Sequence, residues 1–357
     1  MAKIIRAREI ERDDELGIIK KEISLPNNIV FETPSASLKE VGRMEFYSGI
    51  NEITRRIDER LINFLEERGT TDFISFIRSK FLKDRLNLTI FDLRFDSVPD
   101  QNKLKTLTHC LYASNDVAIM LPIVKSKLLK ENNTLSDAKF QEYLKMMAFI
   151  IDETEQIGNS KAFIGTVPLI APKFSRSIIK LYHSRGIKSF AIDAGLRDIL
   201  LNEVDFRLIL SEIHDTTPLN ETLIYACNLG FPQYEKVEIR ADDFLSLFTY
   251  VDILGVSFKT RGGDSMIGRL PRAKIFSRER YSYGVTTYSE ASKLLGEYVN
   301  YNLLRERNRL EQLKETDKIR SIIGKEKMKK YLQRKPAVDP PSLKRLESMA
   351  KLQKRLW

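Results

Sequence analysis

Cysteine and histidine are scarce: the chain has Cys110 and Cys227, and His109, His183 and His214, with no CxxC or HxxxH spacing among them. This leaves no local ligand pattern for a structural zinc, and no cofactor is called for. Long apolar runs are also missing. The longest, Val117 to Val124 and Met146 to Ile151, fall well short of the roughly 18 residues of a membrane span. The first residues, MAKIIRAREIERDDELG, alternate charge with single apolar residues and lack the apolar block of a secretory signal, so a cytoplasmic protein with no membrane contact is expected. No GxGxxG, GxxxxGK[ST] or GxSxG occurs, so nicotinamide, ATP and acyl-serine chemistry have no motif to rest on.

What is present is an ordinary globular mix, 42% hydrophobic and 30% charged over 357 residues, which excludes disorder throughout. The net charge of +10 is unevenly placed: Leu303 to Trp357 holds 17 basic and 7 acidic residues, whereas residues 1–302 hold 42 of each sign. A neutral body with a basic appendage suits a polyanionic partner, nucleic acid being the common one, or else a solvated charged helix.

Short β-branched runs recur at Ile29 to Glu32, Leu86 to Phe95, Val117 to Val124, Ala162 to Ile170, Ser189 to Ile192, Leu223 to Leu229 and Asp252 to Phe258. Apolar residues stand at consecutive positions, the mark of strands buried on both faces. Amphipathic segments at Ile50 to Arg68, Asp137 to Gln156, Phe174 to Arg185 and Arg240 to Tyr250 read as helices between them. This alternation predicts an α/β fold, a (β/α)8 TIM-type barrel before an open doubly wound sheet. Asp205 to Ile213 fits either a helix or an eighth strand, and 35–83 is long for one crossover. The expected organisation is a charged N-terminal arm (1–24), the barrel (25–275), and an aromatic/basic segment with a helical basic extension (276–357). Pro336, Pro340 and Pro341 part the last helices.

In a barrel, chemistry gathers at the C-terminal strand ends. Asp92 and Asp96 share a face if their strand runs through Phe95, and paired carboxylates with split pKa values can divide nucleophile and acid roles. Asp193, between a strand and Gly195, is the best single candidate, with helix capping the competing role. His214-Asp215 reads as a helix end or turn more readily than as a base. Lys259, Thr260 and Arg261 lead a Gly-rich loop suited to phosphate. Arg278, Arg280, Tyr281 and Tyr283 could stack unpaired bases, or could be core aromatics with snorkelling arginines. Lys327, Lys329 and Lys330 are the tail contacts expected for nucleic acid.

The order of Gly165-Thr-Val, Gly186-Ile-Lys-Ser-Phe-Ala-Ile-Asp-Ala-Gly-Leu, Ala226-Cys-Asn-Leu-Gly-Phe-Pro and Val251-Asp-Ile-Leu-Gly-Val-Ser-Phe-Lys-Thr-Arg resembles that of the tRNA-guanine transglycosylases and their DNA-modifying relatives, over about residues 162–263. The resemblance implies a TIM barrel and a glycosyltransferase reaction that exchanges a guanine in tRNA or DNA for a 7-deazaguanine. One Asp would attack the ribose carbon while another served as general base. Gly195, Leu196, Asp252, Thr260 and Arg261 match by type. The family's nucleophile position falls at Gly255 and its base-pocket glutamine at Pro168, and the Cys/His zinc cluster is missing. The implied site is therefore built on relocated carboxylates, Asp92, Asp96, Asp193 and Asp252, with Gly195, Leu196, Asn228, Lys259, Thr260 and Arg261 holding substrate. The alternatives are an inactive barrel that binds nucleic acid or a partner subunit, homodimer included, and a metabolic barrel for a phosphorylated small molecule.

Overall fold

The computed structural model describes residues 4–39, 49–124, 126–131, 134–230, 237–257 and 272–356. It opens with an antiparallel sheet, β1 (Arg6–Arg12), β2 (Ile19–Ser24) and β3 (Val30–Thr33). The expected N-terminal arm is thus structured, and the run at 29–32 belongs to this sheet and not to the barrel. A four-residue apolar run cannot by itself tell an edge strand from a buried one, and Val30 is half exposed.

Next come β4 (Ser35–Ala36), β5 (Leu38–Lys39), β6 (Ile50–Ile57), helices α1 (Glu59–Arg68) and α2 (Thr71–Arg78), β7 (Leu86–Leu93), α3 (Gln101–Ala113), β8 (Ala118–Met120) and β9 (Ile123–Val124). A small hairpin, β10 (Lys130–Glu131) and β11 (Thr134–Leu135), leads to α4 (Asp137–Ile157), β12 (Ala162–Pro168), α5 (Pro172–Ser184), β13 (Ser189–Asp193), α6 (Glu203–Thr216) and β14 (Leu223–Cys227). After β15 (Glu238–Arg240) and the short α7 (Asp242–Leu245), β16 (Ile253–Leu254) ends the parallel strands. Residues 205–213 therefore lie in α6, and residues 50–57 are a strand where a helix is expected.

The parallel strands form a curled six-stranded sheet in the order β4-β16-β14-β13-β12-β8, and a four-stranded sheet in the order β5-β6-β7-β9. The pairing is thus not one uninterrupted eight-stranded ladder. The breaks fall at Ser37, between β4 and β5, and at Leu121-Pro122, between β8 and β9, where a proline cannot donate. Alternation sorts the side chains into two layers. Leu86, Leu88, Ile90, Ala162, Ile164, Ala191 and Ile253 join Ile5, Ala7, Ile23 and Leu25 of the N-terminal sheet on the inner face. Phe91, Leu93, Phe163, Val167, Phe190 and Ile192 meet the helices on the outer face. Both faces are covered, which is why these strands read as continuous apolar runs.

The C-terminal third is folded onto this body. The aromatic/basic segment is a hairpin, β17 (Arg272–Ser277) and β18 (Ser282–Thr287), with β15 as its third strand. Helices α8 (Tyr288–Leu295), α9 (Tyr301–Ile322), α10 (Met328–Gln333) and α11 (Pro340–Leu356) follow. Asn308 stitches α9 to β17, accepting from Phe276 N at 2.9 Å and donating to Lys274 O at 2.6 Å. Farther along, Arg320 donates to Pro34 O, so α9 runs from the hairpin to the start of β4. Ile319, Met328, Leu332, Leu346 and Met349 are fully buried. The basic tail is therefore largely a packed layer of the fold rather than a free arm. Among the described residues no helix is long and apolar enough to cross a membrane.

Candidate functional site

The four predicted carboxylates do not share one pocket. The strand of Asp92 ends at Leu93, so Asp92 is buried while Asp96 is exposed beyond the strand. Arg94 Nε donates to Asp92 Oδ2 at 2.7 Å. Asp193 ends β13 and ties two neighbouring loops together. Its Oδ1 accepts from Asn228 Nδ2 at 2.8 Å and from Gly195 N at 3.1 Å, and Leu196 N donates to Asn228 O at 2.7 Å. Leu196 and Asn228 both take positive φ, 66° and 51°, to make these bonds. Gly195, Leu196 and Asn228 thus meet Asp193 in a loop clasp.

Asp252 lies at the opposite end, just before β16. Its Oδ2 accepts from Lys21 Nζ at 2.8 Å and Ile224 N at 2.7 Å, and Thr33 Oγ1 donates to its Oδ1 at 3.3 Å. Burial pushes its carboxyl above the usual range, and Lys21 opposes that shift. Asp252 anchors the N-terminal sheet and is remote from the strand ends. Lys259, Thr260 and Arg261 lie outside the described residues.

Position 255 has no room for a side chain. A Cβ on Gly255 would stand 2.3 Å from Tyr225 Cε1 and 2.8 Å from Ala226 O. The Tyr225 hydroxyl donates to Glu52 Oε2, which also accepts from Ser37 Oγ at 2.8 Å and Val256 N at 3.0 Å. Burial first, then the Glu52 charge, keeps the Tyr225 phenol protonated far above its ordinary range. This buried network closes the side of Gly255 that faces Tyr225.

A cavity of about 570 Å³ opens beside the C-terminal ends of β5 and β16 and is walled by β17, β18 and α9. Leu254, Gly255 and Val256 form one wall, and among the described residues four cations line it: Arg272, Lys274, Arg305 and Arg309. Arg309 reaches from α9 to the strand end, donating to Leu254 O at 3.3 Å and Gly255 O at 3.1 Å. Burial lowers its pKa and the Glu52 charge works against that. Tyr288 and Tyr301, also on the lining, are each the first residue of a helix. A Thr287–Glu290 capping box sets the start of α8, and Asn300, accepting from Leu303 N at 3.0 Å, sets that of α9.

Among the described residues the acidic groups on the lining are Asp243 and Glu306. Tyr283 OH donates to Asp243 Oδ2 at 2.6 Å, and Gln312 Nε2 donates to the same hydroxyl at 2.9 Å. Asp243 Oδ1 is buried with no hydrogen-bond partner. Burial raises the Asp243 pKa, and the bond from Tyr283 opposes this.

The predicted nucleic-acid contacts fare differently. Tyr281 and Tyr283 are buried, Tyr283 at the cavity wall. Arg278 pairs with Glu311 and Arg280 with Glu238, each at 2.6 Å. Lys327 pairs with Glu15 at 3.2 Å and Lys329 with Glu347 at 2.6 Å, while Lys330 is exposed. Met328 N donates to Asp13 Oδ2 at 3.0 Å, and Gly17 of the same turn packs on Tyr250. Residues 327–330 therefore lie at the end where β16 begins, away from the cavity. Glu52, Asp243, Arg305 and Arg309 went unpredicted, because only the packing of α9 and the hairpin against the strand ends brings them together.

A second acid pair lies beyond β13. Asp198 Oδ1 accepts from Leu200 N at 2.8 Å, and its carboxyl is pushed up to about 7 by burial and by Asp242. Arg240 grips Asp242, Nη2 to Oδ2 at 3.1 Å, and Asp339 at 3.1 Å. A folded pKa above the unfolded one gives stability that is full in acid and is lost as pH rises towards 7. Thermal unfolding should therefore show stability falling from pH 5 to pH 7.5, by about 1 kcal/mol per pH unit. Asp198→Asn should flatten that slope; an unchanged slope would assign it to other groups.

Among the described residues no cluster of His, Cys, Asp and Glu is arranged to hold a metal. No family model matches the sequence, and no curated protein matches it. Among solved structures, a putative copper homeostasis protein CutC from Streptococcus agalactiae aligns at 10% identity with a TM-score of 0.27, over 58% of this chain and 97% of that one.

Proposed function

We propose that the two parallel sheets are arcs of one (β/α)8 TIM-type barrel, and that the chain binds nucleic acid by seating a nucleotide unit in the rim cavity. The barrel reading is supported by the pairings. Residues 35–39 pair with β16 through β4 and with β6 through β5, while 118–124 pair with β12 through β8 and with β7 through β9. These two shared segments link the six-stranded and four-stranded sheets at both ends, which supports reading them as one ring. The observation that carries the binding reading is the lining itself, among the described residues four cations with three tyrosines around a space in the size range of small-ligand sites. Cations suit phosphate, and tyrosine edges or faces suit a base or sugar.

The test is binding of fluorescent single-stranded oligonucleotides, tRNA and duplex DNA over a salt series. Arg272→Glu with Arg305→Glu should weaken binding at least tenfold and flatten the log–log salt slope by about one for each phosphate no longer neutralised. Lys327→Glu with Lys330→Glu should change affinity by less than threefold. The reverse pattern would place the footprint on the tail and overturn the cavity reading.

Base exchange on tRNA or DNA is the second reading, favoured by one observation, the Asp243 carboxylate inside the same cavity. It requires incorporation of labelled guanine or 7-deazaguanine that is lost in Asp243→Asn; no incorporation by the folded protein leaves the binding function alone.

A further inference from the structure

Taking the cavity as the ligand site, we infer that Asp243 determines which phosphorylated ligands it accepts, through Oδ1 receiving a hydrogen bond from a sugar hydroxyl or a base N–H. Two independent features point the same way. Gln312 donates to Tyr283 OH at 2.9 Å and Tyr283 donates to Asp243 Oδ2 at 2.6 Å, so the carboxylate is held in one orientation with one oxygen satisfied. The other oxygen is buried and makes no hydrogen bond of good geometry, with Phe244 N the backbone donor beside the carboxyl, and Asp243 lines the cavity. A buried acceptor left unmatched is costly, so a ligand that donates to it gains by more than an ordinary exposed bond.

Charge then discriminates among ligands. A bare anion drawn in by Arg272, Arg305 and Arg309 gains nothing from Asp243 and is repelled by it and by Glu306. A molecule that keeps its phosphate among the arginines and turns a polar hydrogen towards Asp243 satisfies both. The volume, about 570 Å³, exceeds what a phosphate ion needs and suits a nucleoside monophosphate or a sugar phosphate. The chemical class is thus a phosphate ester carrying a hydrogen-bond donor, and not inorganic phosphate.

Calorimetric titration of the full chain with inorganic phosphate, ribose 5-phosphate, AMP and 2′-deoxy-AMP tests this. The unmodified protein should bind at least one of the esters tenfold or more tightly than inorganic phosphate. Tight binding of both nucleotides but not of ribose 5-phosphate puts the donor on the base, and tight binding of AMP with loss in 2′-deoxy-AMP puts it on the 2′-hydroxyl of the sugar; either supports the inference. Asp243→Asn keeps the acceptor for Tyr283 but presents an N–H to the ligand. It should erase the ester's advantage by weakening ester binding, while inorganic phosphate affinity holds or rises as the repelling charge is removed. An ester-to-phosphate ratio near one in the unmodified protein, or one unchanged in a folded Asp243→Asn, overturns the role of Asp243 while the anion site stands. Failure of all four compounds to bind overturns the cavity reading as well.

Discussion

Lys21→Met should cost about 3 to 5 kcal/mol, the range found when one partner of a buried ion pair is removed. For a chain of 357 residues this is a fall of about 5 °C in Tm, at roughly 2.1 cal/mol/K of unfolding entropy per residue. The Lys21 ammonium is almost wholly buried and donates to Leu219 O at 2.7 Å, Thr222 O at 2.8 Å and Asp252 Oδ2 at 2.8 Å. Methionine fills the space but leaves two carbonyls short of a donor and a carboxylate without its counter-ion. Ile224 N and Thr33 Oγ1 still reach Asp252, which keeps the loss from being larger.

The pH dependence identifies the cause. Burial already raises the Asp252 pKa and Lys21 holds the rise in check. Without Lys21 the folded pKa climbs further, so the variant gains stability as pH falls and its deficit should shrink between pH 8 and pH 5. Adding Asp252→Asn should recover at least half of the loss at pH 8. A deficit under about 1 kcal/mol, the usual worth of an exposed pair, would mean that the N-terminal sheet is held by its apolar contacts instead.

That ion pair also shows where sequence reading stops. Residues 86–93, 118–124, 162–168, 189–193 and 223–227 were legible as strands because burial on both faces leaves consecutive apolar residues. Residues 50–57 were not. INEITRRI places isoleucine at 50, 53 and 57, a helical spacing, because Glu52 and Thr54 on the inner face belong to a polar network. The very residue that marks the buried network disguised its strand. Asp252 was legible as unusual but not as structural, since its partner lies 231 residues away. Likewise ADDF carries no signal that the second Asp lines a cavity. Its neighbours there, Tyr283, Arg309 and Gln312, come from a hairpin and a helix whose docking is a tertiary event. The excess basic charge was legible as a quantity; that most of its helices are packed against the body was not, because charge counting ignores the apolar stripe those helices also carry.

Gly255→Asp, which puts a carboxylate at the end of β16, should be among the most damaging single changes, costing more than about 4 kcal/mol. Part of the clash is with the Tyr225 ring, which can move only by breaking the hydroxyl's bond to Glu52 and leaving that buried carboxylate short of a donor. The rest is with Ala226 O, a backbone atom of β14 that receives Gly255 N at 2.7 Å and cannot retreat without loosening the β14–β16 ladder. Gly255→Ala should therefore already be costly. Tyr225→Ala in the Gly255→Asp background should recover only the ring's share. Unfolding midpoints in denaturant for the three variants separate the two contributions. A Gly255→Asp protein with unchanged midpoint that also incorporates labelled guanine would show that Tyr225 merely rests over a usable site. The close approach of ring and backbone at position 255 predicts against that outcome.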